Sequence, residues 1–500
     1  MPDLPTITPD RIADLLERVP RSSFVDGGFL GGTPSLDVID PATGLPLLEV
    51  VDADAATVGR RALDAAVAAQ DAWAATLPRE RSEILRRAYE LCHERADDLA
   101  LAMTLEMGKP LAEAYGEVTY GAEFLRWFSE QAVRQPGGFR QAPSADQAIL
   151  TVARPVGPVL AITPWNFPLS MGTRKIGPAL AAGCTVVLKP AQATPLTSLL
   201  LMRILADAGV PDGVVNCVVT SDARGLSGTL LADPRLRKMS FTGSTPVGRG
   251  LLAQASEQVL RTSMELGGNA PFLVLPSADV ATAVEAAMPA KFRNNGEACT
   301  AANRFYVHAS VAEEFTAALV ERAAALQVGP GIDPATTLGP LLDEAGLAKV
   351  EELVADAVER GARVLVGGRR PTAEELPDGC AGGTYYLPTV LADVPADARV
   401  AREEIFGPVA PIIVMDDVDE MVRAANDTEF GLMSYVIGDD LGAVTAAARR
   451  IESGMVAVNL GVASDAAAPF GGVKESGLGR EGSHEGMAEY LEMTYVRLPL

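Results

Sequence analysis

Cys299 has the sequence setting of an exposed nucleophile. It follows a turn rich in Asn and Gly (residues 294–298) and comes shortly before the strand-like run 304–307. A thiolate held in such a turn can attack an electrophilic carbon. Upstream, Glu265 is followed by a Leu-Gly-Gly turn that could bring its carboxylate close as a base. The two residues together predict covalent catalysis that rests on a cysteine and a carboxylate.

Composition points to a globular enzyme. Hydrophobic residues make up 48% of the 500-residue chain and charged residues 21%, which is ordinary for a folded protein. The net charge of −23 argues against a nucleic-acid partner, because phosphate binding needs a basic surface. No run reaches the ~18 to 20 apolar residues of a membrane span, and no secretory signal is visible. We expect a cytoplasmic protein of two or three structural units, without a membrane partner.

The cysteines and histidines give no metal-ligand spacing. Five cysteines are scattered without a Cys-x-x-Cys pair, which favours reduced thiols. Cys92, Cys184 and Cys217 are interpreted as small buried apolar residues. Only three histidines occur, of which His484 is expected in a Gly/Ser-rich loop, and no two of them have ligand spacing. Neither a metal site nor histidine-based catalysis is therefore expected.

The elements that must position these residues follow from apolar periodicity. Helices are predicted over 54–76, 79–107 and 111–132, and a projecting β-hairpin over 136–156. Short apolar strands then alternate with amphipathic helices, with strands at 159–162, 185–188, 214–219 and 238–241. The pattern restarts at 271–275, continues to about 467, and a last strand is expected at 490–496. Continuous apolar strands separated by helices predict two doubly wound parallel-sheet domains.

One glycine-bearing turn could bind a phosphate group. Gly243 and Ser244 follow a predicted strand and open a helix, and phosphate oxygens favour helix N-termini. Lys189 ends another apolar strand, where it could reach a ligand ribose. The usual Gly-x-Gly-x-x-Gly fingerprint is absent, so a β–α turn without a ligand is an equal alternative on this turn alone.

Several segments, in this order, resemble the aldehyde dehydrogenase superfamily: Thr-Pro-Trp-Asn-Phe-Pro at 163–168, Phe-Thr-Gly-Ser-Thr at 241–245, the Glu265 and Cys299 segments, Glu-Glu-Ile-Phe-Gly-Pro at 403–408, and Pro-Phe-Gly-Gly at 469–472. The resemblance implies an α/β, aldehyde dehydrogenase-like fold with a protruding β-hairpin oligomerisation element. It implies a dinucleotide-binding domain of 1–135 and 154–266, a catalytic domain of 267–467, and oligomerisation elements at 136–153 and 485–500. A homodimer or homotetramer is expected.

The same resemblance assigns roles at the reaction centre. Cys299 would add to an aldehyde, with Asn166 and the Cys299 N–H as oxyanion donors. Glu265 would activate the water that hydrolyses the thioester, and Lys175 would orient Asn166 or relay protons. Glu297 departs from the glutamine usual at its position. If it faced the thiol it would raise the thiol pKa, and the favoured alternative is a hydrogen bond to the backbone.

For the cofactor, the resemblance implies NADP or NAD. The matching residues are Trp165, Lys189, Gln192, Gly243, Ser244, Glu404 and Phe406. Gln192 occupies a position where NAD-preferring relatives often carry a glutamate that repels a 2′-phosphate, so NADP is favoured. Ser221 replaces a glycine common in relatives, which puts the adenine pocket in doubt.

For the substrate, Arg174, Arg293 and Ser464 match the carboxylate pocket of succinate semialdehyde dehydrogenases. Two guanidinium groups and a hydroxyl suit an ω-carboxylate, whereas pairing of either arginine with surface acids is the structural alternative. Succinate semialdehyde is therefore expected, with glutarate semialdehyde or a broad aldehyde range as alternatives. A CoA-acylating relative and a catalytically idle binding protein are the competing hypotheses. Ala301 stands where relatives often carry a second cysteine, so no disulfide switch is expected.

Overall fold

The computed structural model describes residues 4–144 and 146–500. Within that range the helices are α1 Pro9–Arg18, α2 Ala55–Ala75, α3 Pro78–Glu94, α4 Ala96–Met107, α5 Leu111–Ala132, α6 Ser170–Ala182, α7 Leu196–Asp207, α8 Ala223–Leu231, α9 Thr245–Ala255, α10 Val280–Phe292, α11 Ala309–Ala324, α12 Glu344–Glu359, α13 Arg399–Arg402, α14 Val418–Asn426, α15 Leu441–Ala448 and α16 Ser483–Ala488.

The strands are β1 Phe24–Val25, β2 Gly28–Phe29, β3 Leu36–Asp40, β4 Leu45–Val50, β5 Gly137–Gln141, β6 Gln147–Pro155, β7 Val159–Ile162, β8 Val186–Lys189, β9 Val215–Cys217, β10 Lys238–Thr242, β11 Arg261–Glu265, β12 Ala270–Val274, β13 Ala302–His308, β14 Arg363–Val366, β15 Thr389–Ala392, β16 Val409–Met415, β17 Met433–Ile437, β18 Met455–Val458, β19 Gly477–Leu478 and β20 Leu491–Pro499. They form two large sheets and two small ones.

The first large sheet has the order β19-β11-β10-β7-β8-β9-β1-β2. Its five central strands are parallel, and the strands at both edges are antiparallel. Alternate residues enter different cores: Val159 and Ala161 pack in one apolar cluster, and Leu160 in the other. A strand whose two faces are both covered by helices must be apolar throughout, which is why β7 reads Val-Leu-Ala-Ile.

The second large sheet has the order β14-β15-β16-β13-β12-β17-β18. All its pairs are parallel except β14 with β15. Phe272 and Val274 face one core, whereas Leu273 faces the other. The chain therefore contains two mainly parallel sheets, each covered on both faces, and the predicted fold class is confirmed.

A three-stranded antiparallel sheet, in the order β20-β6-β5, lies apart from both large sheets. The hairpin of β5 and β6 and the C-terminal strand β20 were both predicted, and β20 runs three residues further than expected. Phe139 is 66% exposed and Tyr495 67% exposed, so this sheet presents a row of large apolar side chains to solvent.

Two details of the sequence prediction were wrong. The single helix expected over 79–107 is two helices, because Arg95 (φ −113°, ψ 24°) leaves the helical conformation between them. Turns without Gly or Pro leave no strong signal in a sequence. His484 lies in α16 rather than in a loop. The chain also returns to the first sheet through β19 after completing the second, a connection that strand and helix patterns did not predict.

The two large sheets meet at complementary ends. Asn166, Lys189, Gly243 and Glu265 lie at or just beyond the carboxyl ends of β7, β8, β10 and β11, which are neighbours in the first sheet. The segments leading into β12, β13 and β16, which are neighbours in the second sheet, carry the Gly267–Gly268 turn, Cys299 and the 404–408 run. Ligands of open parallel sheets bind at such carboxyl ends, so the interface between the sheets is the candidate site.

Candidate active site

Cys299 lies half-buried between α10 and β13, at the end of a turn with unusual backbone geometry. Asn294 (φ 56°) and Asn295 (φ 59°) are both left-handed. Their polar groups compensate for this strain: the Asn294 N–H donates to Glu113 Oε2 at 2.6 Å, and Asn295 Nδ2 donates to the Pro340 carbonyl at 2.8 Å. The turn is therefore held from both sides, and it presents the thiol to a cavity.

Burial raises the pKa of the Cys299 thiol to about 12, and the positive charge of Arg174 acts in the opposite direction. A thiol with this pKa is protonated at neutral pH. It becomes a nucleophile only when a base accepts its proton or when a ligand changes its surroundings.

Asn166 is fixed beside the nucleophile turn. Its Nδ2 donates to the main-chain carbonyl of Glu297 at 2.9 Å. The main-chain carbonyl of Asn166 accepts from Lys109 Nζ at 2.9 Å and from Asn294 Nδ2 at 3.1 Å. A carboxamide has two N–H donors, so one is committed to Glu297 and one is left for a substrate oxygen. This geometry suits an oxyanion donor.

Glu265 is the last residue of β11 and is 3% exposed. Neither of its carboxylate oxygens accepts a hydrogen bond from the described residues. Burial raises its pKa well above the usual range, and the nearby Glu481 raises it further, against the opposing charges of Lys175 and Arg174. A buried carboxylate with free lone pairs and a raised pKa is suited to act as a proton acceptor.

The position of Lys175 suits one of its two predicted roles, the proton relay, better than the other, the orientation of Asn166. Its ammonium group pairs with Glu481 Oε1 at 2.5 Å and donates to Ser240 Oγ at 3.0 Å. Among the described contacts it makes no hydrogen bond to Asn166, and Lys109 makes that contact instead. Because Glu481 acts on Glu265, the Lys175–Glu481 pair sits beside the base, as a proton relay requires.

A cavity of about 260 Å³ reaches the thiol from the first sheet. Its lining includes five predicted cofactor residues, namely Trp165, Gly243, Ser244, Glu404 and Phe406. Asn166 and Cys299 of the reaction centre and the charged residues Glu297, Asp343 and Lys349 also line it. The Trp165 and Phe406 rings meet edge to face at 5.4 Å. The site therefore offers an aromatic wall and polar strand-end groups beside the sulfur.

The residues present fit a nicotinamide dinucleotide. Glu404 Oε1 accepts the Gly268 N–H at 3.2 Å, and a Cβ at Gly267 would lie 2.9 Å from Glu404 Oε2, so the turn must be glycine for this carboxylate to approach. Burial raises the pKa of Glu404 to about 7. Lys189 and Gln192 do not line this cavity. Lys189 is buried at the adjacent strand end, where burial lowers its pKa, and Gln192 is exposed three residues further on.

Ser221, the departure noted in the adenine region, has a simple structural partner. Its N–H donates to Asp52 Oδ1 at 2.8 Å and its hydroxyl donates to Asp52 Oδ2 at 2.5 Å. Asp52 precedes α2, so the serine links the loop after β9 to the start of that helix.

A second, smaller cavity of about 20 Å³ joins the thiol to the three predicted substrate residues. Its lining includes Arg174, Arg293, Ser464 and Cys299. The Arg174 guanidinium is 1% exposed, donates to the Tyr120 hydroxyl, lies 4.1 Å from the Phe470 ring centre and is 3.6 Å from Glu481. Its Nε–H has no partner among the described residues.

Neither substrate arginine pairs with a surface acid. The Arg293 guanidinium lies 5.3 Å from the centre of the Phe167 ring and forms no ion pair within the described chain. Among the described residues neither arginine has the surface-acid partner of the structural alternative, and the acid beside Arg174, Glu481, is buried.

Glu297 points toward the backbone. Its Oε1 accepts the Leu342 N–H at 3.0 Å, which corresponds to the favoured alternative for this residue. Burial raises its pKa well above the usual range, and it is not among the charges that act on the Cys299 thiol.

Several residues of the site were not predicted from the sequence. Glu481, in the C-terminal segment, contacts Lys175 and Arg174. Lys109, in the turn before α5, contacts Asn166. Glu117 and Tyr120, both on α5, contact the start of α6 and Arg174 respectively. Glu117 and Tyr120 lie three residues apart on one helix, a spacing that puts them on one face. An acid inside an apolar helix face is the signal that could have found Glu117.

Within the described residues, no group of three or more His, Cys, Asp or Glu side chains could hold a metal ion. A search of the same residues found no helix with both the length and the apolar character that a bilayer crossing requires.

The sequence profile described as "Aldehyde dehydrogenase family" matches residues 30–496. A succinate-semialdehyde dehydrogenase of Paenarthrobacter nicotinovorans is 56% identical over 87% of this chain and 95% of that protein. A glutarate-semialdehyde dehydrogenase of Pseudomonas aeruginosa is 47% identical over 96% of this chain and 97% of that protein. A crystal structure of an NADP-dependent enzyme of Escherichia coli superposes with a TM-score of 0.93 at 45% identity, covering 98% and 99% of the two chains. The chain belongs to the aldehyde dehydrogenase family.

Proposed function

We propose that the protein oxidises a semialdehyde that carries a terminal carboxylate, with NADP favoured over NAD, and that succinate semialdehyde is its substrate. One observation carries the choice of substrate. The buried guanidinium of Arg174, whose Nε–H has no partner among the described residues, belongs to the lining of the cavity that also holds Arg293, Ser464 and Cys299. A carboxylate is the anion that a planar guanidinium binds best, and its far end would place an aldehyde at the sulfur.

The first chemical step belongs to Cys299. As the thiol proton passes to a water molecule, Sγ bonds to the aldehyde carbon and the carbonyl π electrons move to oxygen. The free N–H of Asn166 and the Cys299 N–H stabilise that oxyanion. Trp165, Glu404 and Phe406 would hold an oxidised nicotinamide dinucleotide, which would supply the acceptor for the hydride of this carbon, so that Cys299 would be left as a thioester.

The second step belongs to Glu265. It takes a proton from water as the water oxygen attacks the thioester carbon. The carbon–sulfur bond then breaks, the thiolate leaves, and the dicarboxylic acid is released. The net reaction consumes the aldehyde, oxidised cofactor and water, and yields the acid, reduced cofactor and one proton. The Lys175–Glu481 pair beside Glu265 is suited to pass that proton onward.

At the ends of the first sheet, Trp165 and Phe406 would pack against the nicotinamide and Glu404 would bind a ribose. Lys189 and Gln192 would meet the other ribose. Residues 1–135 and 154–266 would then form the cofactor-binding domain and residues 267–467 the catalytic domain. The assignment of NADP is supported by the neutral Gln192 side chain and by the E. coli NADP-dependent enzyme, which is 45% identical.

The exposed sheet of β20, β6 and β5 supports self-association. Its large apolar side chains and its free strand edge would be covered by a second copy of the chain. We therefore include a homodimer or homotetramer in the proposal, with residues 136–153 and 485–500 at the contacts.

Reduced-cofactor formation with matched aldehydes tests the substrate. Succinate semialdehyde is compared with butanal, and glutarate semialdehyde with pentanal, using both NADP and NAD. We expect the succinate compound to exceed butanal by at least ~10²-fold in kcat/KM, roughly 3 kcal/mol. Glutarate semialdehyde is the alternative substrate, since one methylene gives only ~1–3 kcal/mol of discrimination.

An Arg293→Met variant sharpens that test, because Arg293 is half-buried and forms no ion pair among the described residues. It should lose most of the preference for the acid and keep the butanal rate. Arg402→Met, which removes a surface pair with Asp427, is the matched control. Equal rates with both aldehydes in the parent protein would leave a broad-specificity oxidiser. Acyl-CoA formation in the presence of CoA would identify an acylating enzyme instead, and no reduced cofactor with any aldehyde would indicate an idle relative.

A further inference from the structure

Lys109 is a fully buried lysine in the turn between α4 and α5, with 0% exposure. Its ammonium group has three close partners. It forms an ion pair with Glu117, donates to the main-chain carbonyl of Asn166 at 2.9 Å, and lies 4.3 Å from the centre of the Phe167 ring. A charge so completely removed from water is held by these contacts alone.

Glu117 extends the same network to the next helix. Its Oε1 accepts the N–H groups of Leu169 and Ser170, each at 3.0 Å, at the start of α6. A carboxylate is favoured at a helix N-terminus, where the unpaired N–H groups carry partial positive charge. The Lys109–Glu117 pair therefore holds both ends of the segment 166–170.

Stability alone does not account for such a pair. Removing two charges from water costs several kcal/mol per ion, and well-packed apolar replacements of buried pairs are often neutral or stabilising. A buried pair does fix orientation, because each of its hydrogen bonds holds the group that it contacts in one position.

Here the group whose orientation must be fixed is the Asn166 side chain. It is held by a single hydrogen bond, Nδ2 to the Glu297 carbonyl, and its Oδ1 has no partner among the described residues. The orientation of its second N–H therefore depends on the Asn166 peptide, whose carbonyl is bonded by Lys109 and Asn294. An error of 1 Å in such a group can cost ~10²-fold in rate.

We propose that Lys109 and Glu117 are positioning residues that act through Asn166: they hold its peptide so that one side-chain N–H faces the oxygen of the bound aldehyde. This inference rests on the proposed function only in requiring that the protein oxidises an aldehyde. The identity of that aldehyde does not enter it.

A double-mutant cycle with Asn166→Ala tests the proposal. The paired variant Lys109→Met, Glu117→Gln removes both charges together, so that neither is left buried alone, and the glutamine keeps an oxygen for Leu169 and Ser170. In the parent background we expect kcat to fall about 10-fold or more. In the Asn166→Ala background the same pair should change kcat less than about 2-fold, because the group on which it acts is gone.

Cofactor affinity, measured by fluorescence titration with NADPH, should be unchanged in the paired variant, which a general loosening of the site would not allow. Lys238→Met is the matched control. Lys238 is another lysine of 0% exposure, bonded to Ser263 Oγ at 2.5 Å and 3.7 Å from Glu489, at the opposite end of β10 from Gly243. Its kcat should stay within about 2-fold of the parent value.

Equal losses in the two backgrounds would overturn the proposal, since they would mean that the pair acts independently of Asn166. An unchanged kcat in the paired variant would overturn it as well. If the paired variant is insoluble, Glu117→Gln alone completes the cycle, with a loss of about 3-fold expected in the parent background and none with Asn166→Ala. A parent protein that oxidises no aldehyde would contradict the proposed function, and that result is visible before any variant is made.

Discussion

The side-chain amide of Asn166 donates to the main-chain carbonyl of Glu297 at 2.9 Å, two residues before the nucleophile. The two residues lie 131 positions apart in the chain and belong to the ends of different sheets. Together with the bond from Asn294 Nδ2 to the main-chain carbonyl of Asn166, this bond ties the oxyanion donor to the turn that carries the sulfur. Motion between the two sheets would change the distance between the donor and the sulfur directly.

Removal of the Asn166 amide should slow catalysis without unfolding the protein. Loss of one oxyanion donor typically costs ~10²–10³ in rate, so we expect Asn166→Ala to lower kcat for the semialdehyde by that factor, with KM little changed. Asn426→Ala, at a surface asparagine bonded to Arg450 and Glu452, is the control for loss of an amide elsewhere. A fall in kcat below 5-fold would show that Asn166 is not an oxyanion donor.

Glu265→Gln should separate the two chemical steps. A glutamine cannot take a proton from water, so the thioester should accumulate on Cys299 and steady turnover should fall by ~10²–10⁴. Intact-protein mass spectrometry after an acid quench would detect the acyl adduct. Glu285→Gln, at a surface acid paired with Arg322, should show parent turnover and no adduct.

The pH dependence of the parent should carry the signature of the same acid. Burial raises the pKa of Glu265, and only its deprotonated form is a base, so kcat should rise with pH through that raised pKa. The acidic limb should be missing from the residual activity of Glu265→Gln. Identical acidic limbs in the two proteins would assign the titration to another group.

Glu297→Gln should alter stability rather than the thiol. The folded state raises the pKa of this buried acid above its ordinary value near 4.5, so its contribution to stability is full below that value and is lost as pH rises through the folded pKa. The variant should therefore gain in unfolding free energy over the parent as pH rises, by at most about 1.4 kcal/mol per pH unit in that window. Denaturant unfolding at several pH values measures this.

The thiol provides the second measurement on Glu297→Gln. The glutamine oxygen can still accept the Leu342 N–H, which is the bond that the carboxylate makes in the parent protein. We expect the pH profile of Cys299 alkylation to match that of the parent. A more acidic thiol in the variant would show that the carboxylate faces the sulfur in solution.

Gln192→Glu should move cofactor preference from NADP toward NAD. A carboxylate there would repel a 2′-phosphate and accept hydrogen bonds from a ribose, so we expect kcat/KM with NADP to fall at least ~10-fold, about the effect of one unfavourable charge contact. Gln192→Ala controls for loss of the side chain without added charge. Because Gln192 is exposed, neither change should affect folding.

Sequence reasoning reached the residues that lie inside contiguous motifs. Cys299, Asn166, Glu265 and Glu404 each sit in a short segment whose glycine and asparagine content marks a turn, and the structure brings these four to one cavity or its edge. The parallel strands were predictable because their two covered faces demand unbroken apolar runs.

The residues that were not predicted from the sequence make contacts with residues that are distant in the chain. Lys109 and Glu481 are single charges without a local motif, and only packing shows that they are buried against Asn166 and Lys175. The break at Arg95 was missed because helical propensity continues through it. The antiparallel edge strands β1, β2 and β19 are two residues long, too short for any periodicity to show.

Lys175 and its acid Glu481 are separated by 306 positions, and Arg174 shares that acid. During synthesis, these two cations of α6 are made long before the carboxylate that pairs with both. Burial of both cations is costly until the segment around Glu481 docks, so the packing around α6 is completed late. Turnover would then require that this segment is in place, which makes enzymatic activity a sensitive probe of folding.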